Sequence, residues 1–272
     1  MRTFWGLLLF SMLAAGCAPS GPPEESLVLA TTTSTQDSGL LDVLVPIFER
    51  QANIKVKVVA VGTGQALELG RRGDADVLLV HDPASEEKFI AEGYGVDRRE
   101  VMHNDFVLVG PKDDPAQASG AKTAATAFGR IANQPSPFVS RGDESGTHQK
   151  EKEIWRQAKI EPRGAWYLQA GSGMGQVLRI ANEKRAYTLC DRATFLPQRA
   201  GLDLDILLQG DPTLVNRYHV IVVNPEKHSH VHSQAARKFS DFLLSPEGQK
   251  AIAEFGRDRY GQALFFVEVH SP

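Results

Sequence analysis

Cysteine is scarce: among 272 residues only Cys17 and Cys190 carry a thiol, which excludes a scaffold built on disulfides. Charge of one sign is missing too. Lys and Arg number 30 against 33 Asp and Glu, a formal net charge of -3 with no basic run, and this argues against a dedicated nucleic-acid binder. There is no GxxxxGK[ST] loop, and Gly62-Thr63-Gly64 lacks the spacing of a dinucleotide fingerprint, so nucleotide binding is unsupported. Beyond the first residues no apolar run approaches the roughly 20 residues that span a bilayer. What is present, 42% hydrophobic and 23% charged residues, is the composition of a soluble globular protein with one large or two medium domains.

Residues 1–16 place Arg2 ahead of an apolar run and end in small residues, the pattern of a secretory signal peptide. Leu13-Ala14-Ala15-Gly16-Cys17 resembles a bacterial lipobox, with Ala14 where Leu is more usual; this implies cleavage ahead of Cys17 and lipidation of its thiol. The alternative is an ordinary signal peptide followed by an incidental cysteine. Residues 17–26 are rich in Pro, Ser and Gly and read as the lipidated Cys and a flexible tether.

After the tether, short β-branched runs alternate with amphipathic stretches. Strands are predicted at Leu27–Ala30, Lys55–Val61, Val77–Val80, Phe106–Val109, Phe138–Val139, Tyr187–Leu189 and Tyr218–Val223. Helical spacing of apolar residues marks Leu40 to Phe48, Ala66 to Leu69, Gln176 to Ala181 and Ala235 to Leu244. Strands separated by helices imply βαβ units, a parallel sheet and an α/β class. Val101–Pro111 and Asn216–Pro225 read as two crossings, which predicts one lobe from 27–111 plus 215–272 and a second from 112–214.

Three loops where strands give way to helices concentrate hydrogen-bond donors. The first is Thr31-Thr32-Thr33-Ser34-Thr35, with Asp37 or Ser38 available to cap the next helix. The second is Val61-Gly62-Thr63-Gly64. The third is Ser140-Arg141-Gly142-Asp143-Glu144-Ser145-Gly146-Thr147-His148, in which an Arg fork precedes a Ser-Gly-Thr helix start. Ligands of open α/β sheets bind at the carboxyl ends of strands, and helix N-termini favour anions, so the three together predict a pocket for a fully deprotonated oxyanion.

ATTTSTQDSGLL, VGTGQALELGRRGDADVLLVHDP, NDFVLVGP, SRGDESGTHQKEKEIW, GSGMGQVL and YTLCDRATFL resemble the substrate-binding lipoproteins of tungstate-specific ABC transporters over about residues 27 to 255. The resemblance implies the type II periplasmic-binding-protein fold: two α/β lobes, two crossing segments and an anion clamped in the cleft between lobes. It implies tungstate or molybdate as ligand, no cofactor, an ABC permease as partner, and an extracytoplasmic monomer held to the membrane by its lipid alone. Phosphate-binding relatives share the arrangement found here as Arg141, Ser145, Gly146 and Thr147, and molybdate-binding relatives use a hydroxyl matching Ser34 or Thr33. Thr63 belongs with these, while Thr32, Gly173 and Met174 are weaker candidates, the last two through backbone N–H groups. Cys190 departs from the pattern, standing where YTL-x-DRAT usually has a hydroxyl.

Other candidates have structural readings. Asp143 is expected to pair with Arg141, and Asp82 to play a structural part. His228, His230 and His232 fit a solvated loop better than a metal site, and Trp155, Trp166 and Tyr167 fit packing. A phosphate or sulfate receptor of the same fold is the competing binding function; phosphate keeps a proton near neutral pH and benefits from an acceptor in the site. A hydrolase using Ser145 and His148 lacks a convincing orienting acid.

Overall fold

The computed structural model describes residues 25–134 and 136–267; Cys17 and the signal segment lie outside them. The first part runs β1 (Glu25–Thr32), α1 (Thr33–Asp37), α2 (Leu40–Ala52), β2 (Ile54–Val61), α3 (Thr63–Arg72), β3 (Val77–Val80), α4 (Pro83–Ala91) and β4 (Gly95–Pro111). The middle holds α5 (Ala124–Asn133), β5 (Phe138–Ser140), α6 (Gly146–Gln157), β6 (Tyr167–Gln169), α7 (Met174–Lys184), β7 (Thr188–Asp191), α8 (Arg192–Gln198) and β8 (Leu204–Leu208). The chain returns through β9 (Val215–Val223) to α9 (Ser233–Leu244), α10 (Pro246–Glu254) and α11 (Arg257–Tyr260).

Seven strands share one sheet in the order β2-β1-β3-β9-β4-β7, with β8 also on β4. β4 is the spine. Over Gly95 to Asp105 it pairs with β9, and over Phe106 to Pro111 with β7 and β8, so one strand passes from the first lobe into the second. The expectation of a parallel sheet holds for β2-β1-β3, for β5-β6 and for an isolated bridge from Phe138 to Tyr187; β3-β9, β9-β4, β4-β7 and β4-β8 are antiparallel. The reason is topological: a chain that leaves a lobe on β4 and comes back on β9 lays those two strands side by side in opposite directions. β6 and β8 were not expected; they are short, and apart from buried Leu204 and Leu208 their residues are partly or fully exposed.

Packing separates the lobes. The two faces of β1, β3 and β9 carry one core around Leu29, Phe48, Met102, Tyr218 and Phe239, and another around Leu67, Leu78, Phe89 and Ile221. In the second lobe, Phe106, Leu108 and Leu189 pack with Phe128, Phe138 and Trp155, while Val107, Val109 and Cys190 pack with Met174, Leu178 and Phe195. Trp155, Trp166 and Tyr167 are packing residues as expected, edge-on to one another with ring centroids 5.7–6.2 Å apart. The alternation along β4, Phe106 and Leu108 to one face and Val107 and Val109 to the other, is the period-two pattern of a strand buried on both sides.

Candidate functional site

The first-lobe half of the site grows out of the ends of β1, β2 and β3. Thr32 caps α1, its Oγ1 accepting from Thr35 N at 3.2 Å and sharing hydrogen bonds with Thr35 Oγ1 at 2.6 Å and Ser34 Oγ at 3.1 Å. Its hydroxyl is thus committed locally. Ser38 ends α1, and its Oγ accepts from Leu40 N, the first residue of the next helix α2, where Gly39 takes the N-cap position. Ser34 is buried and its Oγ lies 3.4 Å from His81 Nε2, just past the end of β3. Gly62 begins α3 without a side-chain cap, which leaves first-turn N–H groups free for a ligand. Thr63 follows, with a buried Oγ1 that has no hydrogen-bond partner among the described residues.

The second-lobe half starts where β5 ends. Arg141 is 2% exposed, and its Nη2 and Nε donate to Asp143 Oδ2 at 2.5 and 3.2 Å, the pairing expected from the sequence. Burial pushes the Asp143 carboxyl up, but hydrogen bonds from Arg141 and Ser145 outweigh it and hold the group below its ordinary value. Gly142 and Glu144 take left-handed backbone, φ 62° and 57°, which turns the loop tightly enough to bring Ser145 to the head of α6. Ser145 Oγ then accepts from His148 N at 3.3 Å. His148 Nδ1 faces Glu144 N at 3.1 Å, so the two are not paired as a nucleophile and base.

The two halves face one another closely. A Cβ on Gly62 would lie 3.9 Å from Asp143 O and one on Gly64 3.8 Å from Glu144 O. A Cβ on Gly146 would meet the His81 ring at 2.9 Å and Thr63 Oγ1 at 3.2 Å, so glycine is what lets α6 approach. A Cβ on Gly173, which begins α7 without a side-chain cap, would be 4.0 Å from Thr33 Oγ1. Thr194 Oγ1, on α8, donates to Ser34 O at 3.4 Å. Thr33, Ser34, Thr63, Ser145, Gly146 and Gly173 are therefore brought to one place, ringed by the N-termini of α3, α6 and α7. Buried Thr147 sits one residue beyond Gly146. Met174 is fully buried in the second-lobe core, so only its backbone is available. Arg141 bears on the charges around it: together with burial it acts on His81, Asp191 and Cys190.

His81 escaped the sequence reading, which stopped at its neighbour Asp82. The signal was there: VLLVHDP is a strand end before a helix, like the three loops that were singled out. Asp82 itself is turned to α4, accepting from Ser85 Oγ at 2.6 Å. Asp191 was also missed. It caps α8 through Oδ1, accepting from Thr194 N at 2.9 Å, while Oδ2 is buried without a partner among the described residues, and burial pushes its carboxyl up to about 6. Cys190 is fully buried, its Sγ donating to Asp191 O at 3.1 Å.

No group of three His, Cys, Asp or Glu among the described residues is placed to hold a metal. His228 and His230 donate from Nε2 to Arg71 O and Gly73 O at 2.8 and 3.0 Å, tying the loop after β9 to the end of α3. A groove of about 680 Å³ runs between His81 to Ser85 and the α6 face from Gly146 to Gln157, and so ends at the site.

A PBP superfamily domain matches residues 18–247. Over 270 residues the chain is 46% identical to the tungstate-binding protein TupA of Peptoclostridium acidaminophilum, covering 95% of this chain and 94% of that one. Among solved structures it is similar to that of the tungstate ABC transporter from Geobacter sulfurreducens, with TM-score 0.80 and 53% identity over 85% of this chain and 99% of the other. The tungstate-binding protein from Desulfovibrio alaskensis G20 gives TM-score 0.76 and 44% identity over 90% and 99%.

Proposed function

The chain belongs to the PBP superfamily, and from that premise we propose that it is the extracytoplasmic receptor of an ABC importer, binding tungstate as its ligand without a cofactor and delivering it to the permease. A relative 46% identical over nearly the whole chain is a tungstate-binding protein, and the fold is the two-lobed type II arrangement. The observation that carries the reading to these residues is the meeting of donor-rich loops across the lobes, with Gly146 of α6 set against His81 and Thr63.

In this reading Thr33, Ser34 and Thr63 serve the anion from one lobe and Arg141, Ser145, Gly146 and Thr147 from the other. Thr32 supports the first loop, and Gly173 and Met174 contribute backbone N–H groups from the head of α7. In this reading the expected lobes, 27–111 plus 215–272 and 112–214, are adjusted at one boundary: packing changes sides along β4 between Met102 and Phe106, so Phe106–Pro111 go with the second lobe. A tetrahedral dianion without a proton presents only acceptors, and it suits a cleft whose contribution is helix N-termini, hydroxyls and an Arg fork. Molybdate has the same charge and shape and is expected to bind as well. Cys17 is the lipid attachment point, which fixes the receptor to a membrane through its tether.

Isothermal titration with tungstate, molybdate, sulfate and phosphate tests the ligand. Tungstate and molybdate are expected to bind far more tightly than the other two; tighter binding of phosphate or sulfate refutes the assignment. For the anchor, Cys17→Ser should release the protein from washed membranes while leaving titration of the mature domain unchanged, and retention of the variant would count against lipidation.

A further inference from the structure

We infer that His81 is a residue of the anion site and takes up one proton from solvent when the oxyanion binds, an inference that rests on the receptor function above. His81 lies at the line between the lobes. Its ring packs on Tyr218 at 4.8 Å between centroids, the α6 backbone at Gly146 closes on it, and its Nε2 points to Ser34 Oγ at 3.4 Å. The other nitrogen, Nδ1, is 3.0 Å from Asn216 Oδ1.

That second contact sets the ring's state. Asn216 Nδ2 donates to Asn104 Oδ1 at 2.8 Å and to Tyr218 OH at 3.1 Å, which turns the Oδ1 end toward His81. A carbonyl oxygen only accepts, so Nδ1 carries the hydrogen. In the neutral ring Nε2 is then a lone pair, and the hydroxyl of Ser34 is its donor. A fully deprotonated oxyanion also has only acceptors to offer. If Ser34 turns its hydrogen to the anion, Nε2 and Ser34 Oγ are left as two facing acceptors in a buried place, which is costly. One proton on Nε2 repairs the chain: Nε2 donates to Ser34 Oγ, and Ser34 donates to the anion. A single N–H bond forms, the proton comes from solvent, and no bond of the protein breaks.

Electrostatics runs the same way. The positive charge of Arg141 is already paired with Asp143, so a dianion enters a cleft with little uncompensated positive charge on its side chains. The groups around His81 are Ser34 from α1, Phe106 from β4, Asn216 and Tyr218 from β9, Gly146 from α6, and Arg141 with Asp143 from the loop before α6; Asp82 is turned away to Ser85. In this arrangement of the lobes, burial, opposed by the Asn216 hydrogen bond and assisted by Arg141, lowers the imidazole to about 4 and keeps it neutral at physiological pH. A dianion beside it acts in the opposite sense and raises it.

Tungstate titration of the wild-type protein near pH 7, in buffers of different ionisation enthalpy, counts the protons. The expected result is uptake of about one proton and an affinity that weakens up to about tenfold for each unit rise in pH between the free and bound values of the imidazole. His81→Gln keeps an amide donor for Ser34 without a titrating group; it should bind more weakly, with no uptake. In wild-type protein labelled at the imidazole nitrogens, the Nε2 resonance should move from its unprotonated to its protonated position on adding tungstate, a readout independent of any variant. Uptake near zero, an imidazole that stays neutral, or full uptake retained by His81→Gln, which would put the proton on Asp191 or the anion, each overturns the inference. Failure of wild-type protein to bind tungstate would instead remove the receptor reading on which it rests.

Discussion

On the proposed reading, Arg141 and Gly146 divide the work of the site at the level of single residues. Arg141 is buried with its fork on Asp143, so its geometry is set before a ligand arrives. Arg141→Ala is expected to weaken tungstate binding at least tenfold, about 1.4 kcal/mol, because a charge-assisted donor to a buried anion is lost. Arg141→Lys should recover only part of this, since it restores charge without the planar fork. Titration calorimetry decides both. Gly146 acts through what it lacks: a methyl there would stand 2.9 Å from the His81 ring of the other lobe, a clash that parting the lobes relieves, while alanine is favourable at the start of a helix. Gly146→Ala should therefore leave the melting temperature of the free protein unchanged or raised, yet weaken tungstate binding by about tenfold or more. A large drop in melting temperature would show that Gly146 serves the fold instead.

Helix α6 links the anion loop to the second-lobe core as one element. Ser145 caps it, Gly146 opens it, and one turn further on Glu151 buries its carboxylate against Tyr167 OH at 2.7 Å and Trp155 Nε1 at 3.1 Å. Burial raises this carboxyl from its ordinary 4.5 to about 7, against the pull of those donors. The folded state thus holds a proton that the unfolded chain releases, and stability from this group is full below about pH 4.5 and is lost as pH rises toward about 7. The loss is of order 3 kcal/mol. Glu151→Gln keeps an oxygen for both donors and does not titrate, so the stability difference between variant and wild type should grow from pH 4.5 to 7 and then level off. Denaturant melts across that range measure it; a difference that does not change with pH would mean that Glu151 ionises freely in the fold.

At the scale of the whole molecule β4 runs from one lobe into the other and the chain returns at the head of β9, while the candidate site draws its residues from both lobes. On the proposed reading neither lobe offers an anion the full set of donors, so binding is expected to favour the closed arrangement and the permease to read it. Saturating tungstate should therefore reduce the radius of gyration measured by small-angle scattering. It should also stabilise the folded protein by about 2.7 kcal/mol at a hundredfold excess over the dissociation constant. If tungstate moved neither quantity while phosphate or sulfate did, the cleft would stand and the ligand would be wrong; if no oxyanion moved either, the receptor function would fall.

The α/β alternation, the strand ends rich in Thr, Ser and Gly, and the Arg141 to Thr147 loop were readable from the sequence alone, because capping, turn chemistry and apolar periodicity are local. So was the pairing of Arg141 with Asp143, two residues apart on a tight turn. Strand direction was not: β4 and β9 look like any buried strand, and only the path of the chain between lobes makes them antiparallel. The strand end at Val80 marks His81 as a loop residue, but sequence spacing does not join it to the other loops. It becomes part of the site through Ser34, Asn216 and Gly146, which lie 47, 135 and 65 positions away in the chain, and its protonation follows from an amide orientation that exists only when β3, β4 and β9 are assembled. Local residue chemistry thus determined what the loops can bind, and tertiary packing decided which buried groups share the anion's field, since burial and hydrogen-bond direction are properties of the assembled cleft.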